Sequence, residues 1–183
     1  MWWFRPGIAV GLSLALTACG FQPLYKKDAF DPGVTRDLTE VKVLTVGMDN
    51  RRAKREEQRK YDRLRQEFNS LLRRQLNPDG VNRKVRYTLE STLAVSLART
   101  GIQITEEATR ARLSVQVIFR LYEAGTQRLL YSGTEQSINS YNVVDSQYAT
   151  LSAEKDASRR AVREISDSVR LRLAIYFQRQ QKG

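Results

Sequence analysis

The lone cysteine, Cys19, has neighbours that indicate a covalent modification. It follows an uncharged apolar run and the small residues Thr17 and Ala18, a spacing typical of the bacterial lipobox. Small residues let a signal peptidase reach an extended backbone, and the thiol accepts a diacylglyceryl group. The run is too short to span a bilayer and follows a single charge at Arg5, as in an export signal. The sequence therefore predicts a lipoprotein signal peptide over residues 1–18 and acylation of Cys19.

Acylation of Cys19 would tie the mature chain to a membrane. Each buried acyl methylene contributes about 0.8 kcal/mol, so two or three acyl chains form a stable anchor. Gly20 follows the cysteine, in place of the aspartate that retains many lipoproteins at the inner membrane. We therefore expect a lipid-anchored protein on the periplasmic side of the outer membrane. The alternative is a core cysteine at the end of a buried helix, since free cysteine is common in protein interiors.

The composition argues against an enzyme and against a metal centre. The chain contains no histidine, which removes the commonest general base and the commonest transition-metal ligand. A single cysteine excludes disulfides and thiolate metal sites within one chain. We predict no catalytic residues, no metal and no cofactor. An acyl hydrolase or glycan-cleaving enzyme that uses carboxylates alone remains an alternative.

The net charge of +11 favours an anionic partner. Arg5 is the one charged residue of the predicted signal, so the mature chain stays strongly basic. Nucleic acid, acidic lipid headgroups and phosphorylated glycolipids all fit on composition alone. A dense run of cations over residues 51–60 is one candidate anion site. Acidic residues interrupt this run, which favours a solvated helix face instead.

Three arginines, Arg99, Arg110 and Arg112, form a second candidate anion site. They flank a predicted hairpin loop, Thr100 to Thr109, at one end of the molecule. The planar fork of arginine suits phosphate. Acidic residues of the same loop offer the alternative that the arginines are simply paired with carboxylates.

Hydrophobic periodicity predicts the elements that position these residues. Residues 19–40 contain proline and glycine turn signals without a sustained period, which predicts an irregular lipidated tether. Period-two and three-to-four-residue spacings then predict a strand, a helix, three strands and a helix, over residues 41–46, 51–76, 85–98, 111–121, 128–140 and 152–178.

This order, βαβββα, predicts one α+β domain over residues 41–183. The expected architecture is a two-layer sandwich, an antiparallel sheet with two long helices on one face. The final helix, at roughly 40 Å, matches the first long strand, at roughly 45 Å. The order is similar to that of a double-stranded-RNA-binding domain, but such a module is smaller, and export would separate it from its ligand. We therefore predict no nucleic-acid partner.

Several stretches of the mature chain resemble one lipoprotein family. Cys19 to Tyr25, reading CGFQPLY, resembles the mature start of the lipopolysaccharide-assembly lipoprotein family LptE. Later stretches resemble strand and C-terminal helix positions of that family; they are Thr109-Arg110, Ser140-Tyr141-Asn142, Tyr148-Ala149, Asp156-Ala157 and Arg170-Leu171 through Tyr176-Phe177. The similarity covers nearly the whole mature chain, and the order of these stretches together with the lipobox is what makes it specific.

The resemblance implies a lipoprotein that sits as a plug inside the outer-membrane β-barrel LptD. Such a protein supports assembly of the barrel and binds lipopolysaccharide on its way to the cell surface, without catalysis. The resemblance does not fix the lipopolysaccharide contacts, so Arg99, Arg110 and Arg112 are predicted from charge and placement alone. The alternative is an auxiliary lipoprotein of another envelope lipid or solute transporter, bound to an inner-membrane complex.

Overall fold

The elements of the chain are given by a computed structural model, which describes residues 31–44, 46–48, 55–81, 83–102 and 108–182. In chain order, the helices and strands are α1 Pro32–Thr39, β1 Val41–Val43, β2 Gly47–Met48, α2 Arg55–Leu76, β3 Tyr87–Ile102, β4 Ala108–Glu123, β5 Leu129–Asn142 and α3 Gln147–Lys182. The predicted α+β two-layer sandwich is confirmed, with α2 and α3 packed on one face of the sheet.

Three long strands form an antiparallel meander. Val117 of β4 pairs with Leu93 of β3 on one side and with Glu135 of β5 on the other. The turn between β4 and β5 places Gly125 at a φ of 95°, a backbone conformation that glycine adopts without steric cost. A short connection of this kind returns the chain beside the strand it has just left, as the periodicity predicts.

The other edge of the sheet is parallel, so the prediction of a purely antiparallel sheet is wrong there. The two short strands β1 and β2 both run parallel to β3. The sheet is therefore mixed, with the order β1-β3-β4-β5 and β2 also paired to β3. Helix α2 explains the difference, because a helical crossover between two paired strands returns the chain in the same direction.

Helix α1 lies where the sequence analysis predicts an irregular tether. Pro32 occupies its first position, where a missing backbone N–H costs nothing. Val34 and Leu38, four residues apart on one face, are buried. An eight-residue helix repeats its apolar spacing only once, so the proline and glycine turn signals dominate the sequence pattern here. The limits predicted for the tether and the domain stay predictions.

The core lies between the sheet and the two long helices. Alternate residues of β4 are all nearly or fully buried; they are Ala111, Leu113, Val115, Val117, Phe119 and Leu121. This confirms the face predicted from the period-two pattern. Helices α2 and α3 bury residues spaced three or four apart against them; the largest are Phe68, Leu72, Leu76, Ile165, Leu173 and Phe177. Each such side chain contributes about 1.5–3 kcal/mol of hydrophobic free energy.

Helix α3 begins five residues before its predicted start. The hydroxyl of Ser146 accepts a hydrogen bond from the amide of Ala149 at 3.3 Å, as an N-cap residue does. Tyr148 and Leu151 in the first turns are exposed, so apolar periodicity does not mark this end of the helix.

Candidate functional site

The face of the sheet opposite the helices is open among the described residues. Its side chains alternate with the buried ones of β4 and are polar or charged for most of its length. Large apolar side chains are few; they include Ile118 and Ile138, exposed by 42% and 56%, and Leu129 at one end of β5. We call this surface the open face. A mostly polar surface with scattered apolar side chains suits a hydrated contact better than a dry core.

Arg110 and Arg112 lie together at one end of the open face, and we call them the arginine pair. They are two residues apart on β4, so their side chains project from the same face about 7 Å apart along the strand. The residues directly opposite them on β3 and β5 are neutral; they are Thr100 and Asn142 beside Arg110, and Ala98 and Ser140 beside Arg112.

The arginine pair differs from the third arginine of the same face. Arg120 lies directly opposite Glu90 in the β3–β4 register, so a carboxylate adjoins its charge. Among the described residues, no carboxylate forms an ion pair with Arg110 or Arg112, and both side chains are exposed. This end of the open face therefore concentrates positive charge that an anion with several oxygens can satisfy.

The structure separates Arg99 from the arginine pair. Arg99 lies opposite Ala111, whose side chain is buried beneath the helices, so Arg99 is on the helix-packed face. It is near Tyr141, where its charge lowers the pKa of the phenol, although the larger effect of burial raises that pKa. The positions of the three arginines beside the predicted loop put them at one end of the sheet. Because successive side chains of a strand point to opposite faces, Arg99 lies on one face and the arginine pair on the other.

The predicted loop between these strands is shorter than the sequence suggests. Strand β3 continues to Ile102 and β4 starts at Ala108, so both strands reach into the segment predicted as loop. Glu106 and Glu107, which offered the alternative of paired arginines, lie outside the described residues, as do Cys19 and the predicted signal.

Sequence reasoning missed a cavity between α2 and α3. It has a volume of 220 Å³, and we call it the interhelical cavity. Its apolar floor is formed by Leu64, Val95, Leu113 and Leu151. Its rim carries Lys60, Arg63, Lys155 and Arg159 together with the carboxylates of Glu67 and Glu154. No sequence motif marks it, because its lining comes from four elements far apart in the chain.

A polar cluster joins β5 to α3 and was also missed. Glu164 accepts hydrogen bonds from the Ser137 hydroxyl and from the Asn139 amide, the latter at 3.3 Å. Arg160 Nε donates to the side-chain oxygen Oδ1 of Asn139 at 3.2 Å. Arg172 forms an ion pair with Glu135 further along the same two elements. These contacts fix the register of α3 on the sheet edge, which is a structural role.

Within the described ranges, no group of three or more acidic, cysteine or histidine side chains is placed to hold a metal ion. The same part of the chain contains no helix that is both long and apolar enough to cross a membrane.

The sheet is covered by helices on one face and carries the arginine pair on its open face. The model of the family LptE, described as lipopolysaccharide-assembly, matches residues 43–173. The chain therefore belongs to the LptE family, which confirms the resemblance seen in the sequence. This is a family of accessory proteins and not of enzymes.

Solved structures are similar in fold. A lipoprotein from Caulobacter crescentus CB15 is 20% identical with a TM-score of 0.56, over 80% of this chain and 96% of that chain. A minor lipoprotein from Acinetobacter baumannii is 14% identical with a TM-score of 0.48, over 73% and 91% of the two chains. The first likeness supports the fold alone. No curated protein matches the sequence at a significant level.

Proposed function

We propose that this protein is an outer-membrane lipoprotein that forms a complex with an LptD-like β-barrel and binds lipopolysaccharide during its assembly at the cell surface. Membership of the lipopolysaccharide-assembly family over residues 43–173 carries the proposal. In this proposal acylated Cys19, the first residue after the predicted signal and the start of the predicted tether, anchors the chain on the periplasmic side.

The open face supports a contact with a polar barrel lumen. The interior of an outer-membrane barrel is polar and often wet, so a plug requires a surface that tolerates water. Small polar side chains populate this face across the three long strands; they include Thr88, Thr92, Ser96, Ser114 and Gln116. Gln136 donates a hydrogen bond to the Ser114 hydroxyl at 2.9 Å, which orders part of this surface.

The arginine pair supplies the phosphate contacts in this proposal. Lipopolysaccharide carries phosphate groups, and the planar guanidinium of each arginine can donate two parallel hydrogen bonds to phosphate oxygens. Neighbouring hydroxyl and amide groups at Ser140 and Asn142 offer further hydrogen bonds. Arg99 stands at the same end on the other face, so its contribution is a longer-range attraction.

Affinity purification from detergent-extracted outer membranes tests the complex. A C-terminally tagged full-length chain should bring down a large β-barrel protein in equal amount. A Cys19→Ala variant, which lacks the acylated thiol, serves as the control and should be depleted from the outer-membrane fraction. Recovery of the tagged wild-type protein alone, or with inner-membrane transporter subunits, would overturn the proposal.

A further inference from the structure

The sandwich is closed along most of its length but opens at the end that carries the interhelical cavity. Leu89 and Leu93 of β3 are fully buried, whereas Leu97, on the same face and further along the strand, is 37% exposed. Val95, which lies between Leu93 and Leu97 on this face, forms part of the floor of the cavity. Apolar surface that faces the helices is therefore left partly uncovered at this end, at a cost of roughly 25 cal/mol per Å².

We propose that the interhelical cavity binds the end of one acyl chain of lipopolysaccharide, with an anionic group of the same molecule held at the basic rim. The inference rests on the proposed function for the identity of the ligand. The site itself is distinct from the arginine pair, because the strand residues of its floor, Val95 and Leu113, lie on the helix-packed face of the sheet.

The size of the cavity fits a segment of hydrocarbon. An apolar cavity of about 150 Å³ is enough to bind benzene in another protein. The 220 Å³ here has room for a somewhat larger piece of chain. A whole folded polypeptide segment does not fit, which argues against a partner helix as the occupant.

The charge of the rim selects an anionic ligand. Lys60 forms an ion pair with Glu154 across the two helices, at 3.2 Å. Among the described residues, the other three rim cations, Arg63, Lys155 and Arg159, form no ion pair. Cations thus outnumber the carboxylates of the rim, and the exposed Lys60–Glu154 pair costs little to open, because surface pairs are worth about 0–1 kcal/mol.

Photolabelling of the full-length chain in phosphatidylcholine nanodiscs tests the site. The probe is a 12-carbon alkyl phosphate with a photoreactive group near the end of its chain, and labelled peptides are mapped by mass spectrometry. We expect labelling on α2 and α3 around Leu64 and Leu151. Ser158→Phe, which fills the cavity, should reduce it at least five-fold. Ser168→Phe, half-buried on the same helix outside the cavity, is the matched control.

Two further experiments test whether the basic rim binds the anionic group and which lipid supplies the acyl chain. Lys155→Glu combined with Arg159→Glu should weaken labelling by the alkyl phosphate at least three-fold but leave labelling by the corresponding neutral alcohol unchanged. Purified lipopolysaccharide should compete with the probe, and phosphatidylglycerol should compete at least five-fold less well. This charge variant keeps the test decisive if Ser158→Phe does not fold.

The outcomes separate this inference from the proposed function. Equal labelling of the Ser158→Phe and Ser168→Phe variants, or equal competition by phosphatidylglycerol, would overturn the acyl-chain site, while co-purification with the barrel would still support the proposed function. Failure of lipopolysaccharide to compete, together with failure to recover a barrel, would overturn both.

Discussion

The two faces of the sheet share one backbone and differ in almost everything else. Along β4, odd-numbered residues from Ala111 to Leu121 are buried beneath the helices, while even-numbered residues from Arg110 to Arg120 face away from them. On β4 the helix-packed positions are all apolar, whereas the open-face positions are three arginines, a serine, a glutamine and one isoleucine. Neighbouring positions of a single strand therefore serve stability and binding separately.

Closeness in the sequence therefore does not indicate a shared role on β4. Two adjacent residues of this strand lie on opposite faces, one in the core and the other on the open face. We therefore expect large stability effects at odd positions, small ones at even positions, and binding effects at even positions near the arginine pair.

Phe119→Ala should break the helix-packed face most severely. Phe119 is fully buried and its ring lies 5.9 Å from that of Tyr131. Removing a buried phenylalanine side chain costs about 3–5 kcal/mol of unfolding free energy. Chemical denaturation of the purified protein measures the loss. Ile118→Ala, one residue away on the open face, is the control and should cost under about 1 kcal/mol; an equal cost would mean that the open face is packed as well.

Gly133→Ala should destabilise the same face by a smaller amount. Gly133 on β5 lies opposite Phe119, and an added Cβ would be 2.6 Å from Cζ of that ring. The ring must shift in a packed core, which costs about 1–3 kcal/mol. Gly47→Ala is a suitable comparison, because its Cβ would meet the Thr92 hydroxyl at an ordinary 3.4 Å. Similar thermal denaturation curves for the two variants would contradict the close approach.

The long elements of the helix-packed face are predictable because burial repeats along them. Six alternate residues of β4, and helix positions three or four apart, leave a period that sequence alone reveals. The short elements are not predictable in this way. Helix α1 buries only Val34 and Leu38 among its residues, and β2 is two residues long, so neither repeats often enough to be detected.

The candidate sites are predictable only in part. Charge and loop position point to the end of the sheet where Arg110 and Arg112 lie, but the pairing register decides which face each side chain takes. Arg99 illustrates this limit, since its odd position places it on the helix-packed face of β3 and not on the open face. The interhelical cavity is assembled from tertiary contacts between distant residues, so no local pattern announces it.

Reversing the arginine pair tests whether the open face binds lipopolysaccharide. Arg110→Glu combined with Arg112→Glu should weaken binding about ten-fold or more, equivalent to about 1.4 kcal/mol, because attraction to phosphate becomes repulsion. Unfolding free energy should change little, since both side chains are exposed. Binding of labelled lipopolysaccharide to the full-length protein provides the measurement.

The control for this experiment matches its change of charge. Arg83→Glu combined with Lys84→Glu alters two exposed cations before the start of β3, at the opposite end of the strand from Arg99. It should weaken binding much less than reversal of the arginine pair. Arg99→Glu, on the helix-packed face, should have an intermediate effect. Equal losses for all three variants would indicate general attraction to a basic protein rather than a site.

The smallest expected effect concerns alkaline stability and Tyr141, a buried residue of the helix-packed face. Burial raises the pKa of Tyr141 above its usual 10.0, and Glu154 raises it further. Because the unfolded chain then loses its phenolic protons first, the free energy of unfolding should fall as the pH rises through 10.0 toward the folded pKa. In the Tyr141→Phe variant, the free energy of unfolding should fall less steeply between about pH 9 and about pH 11. Part of the decrease should remain, because burial also raises the pKa values of Tyr87 and Tyr176. Tyr148→Phe, at a position that is 83% exposed, should follow the wild-type profile in denaturation experiments across this range. If Tyr141→Phe also follows it, burial at this end of the helix-packed face does not govern the titration.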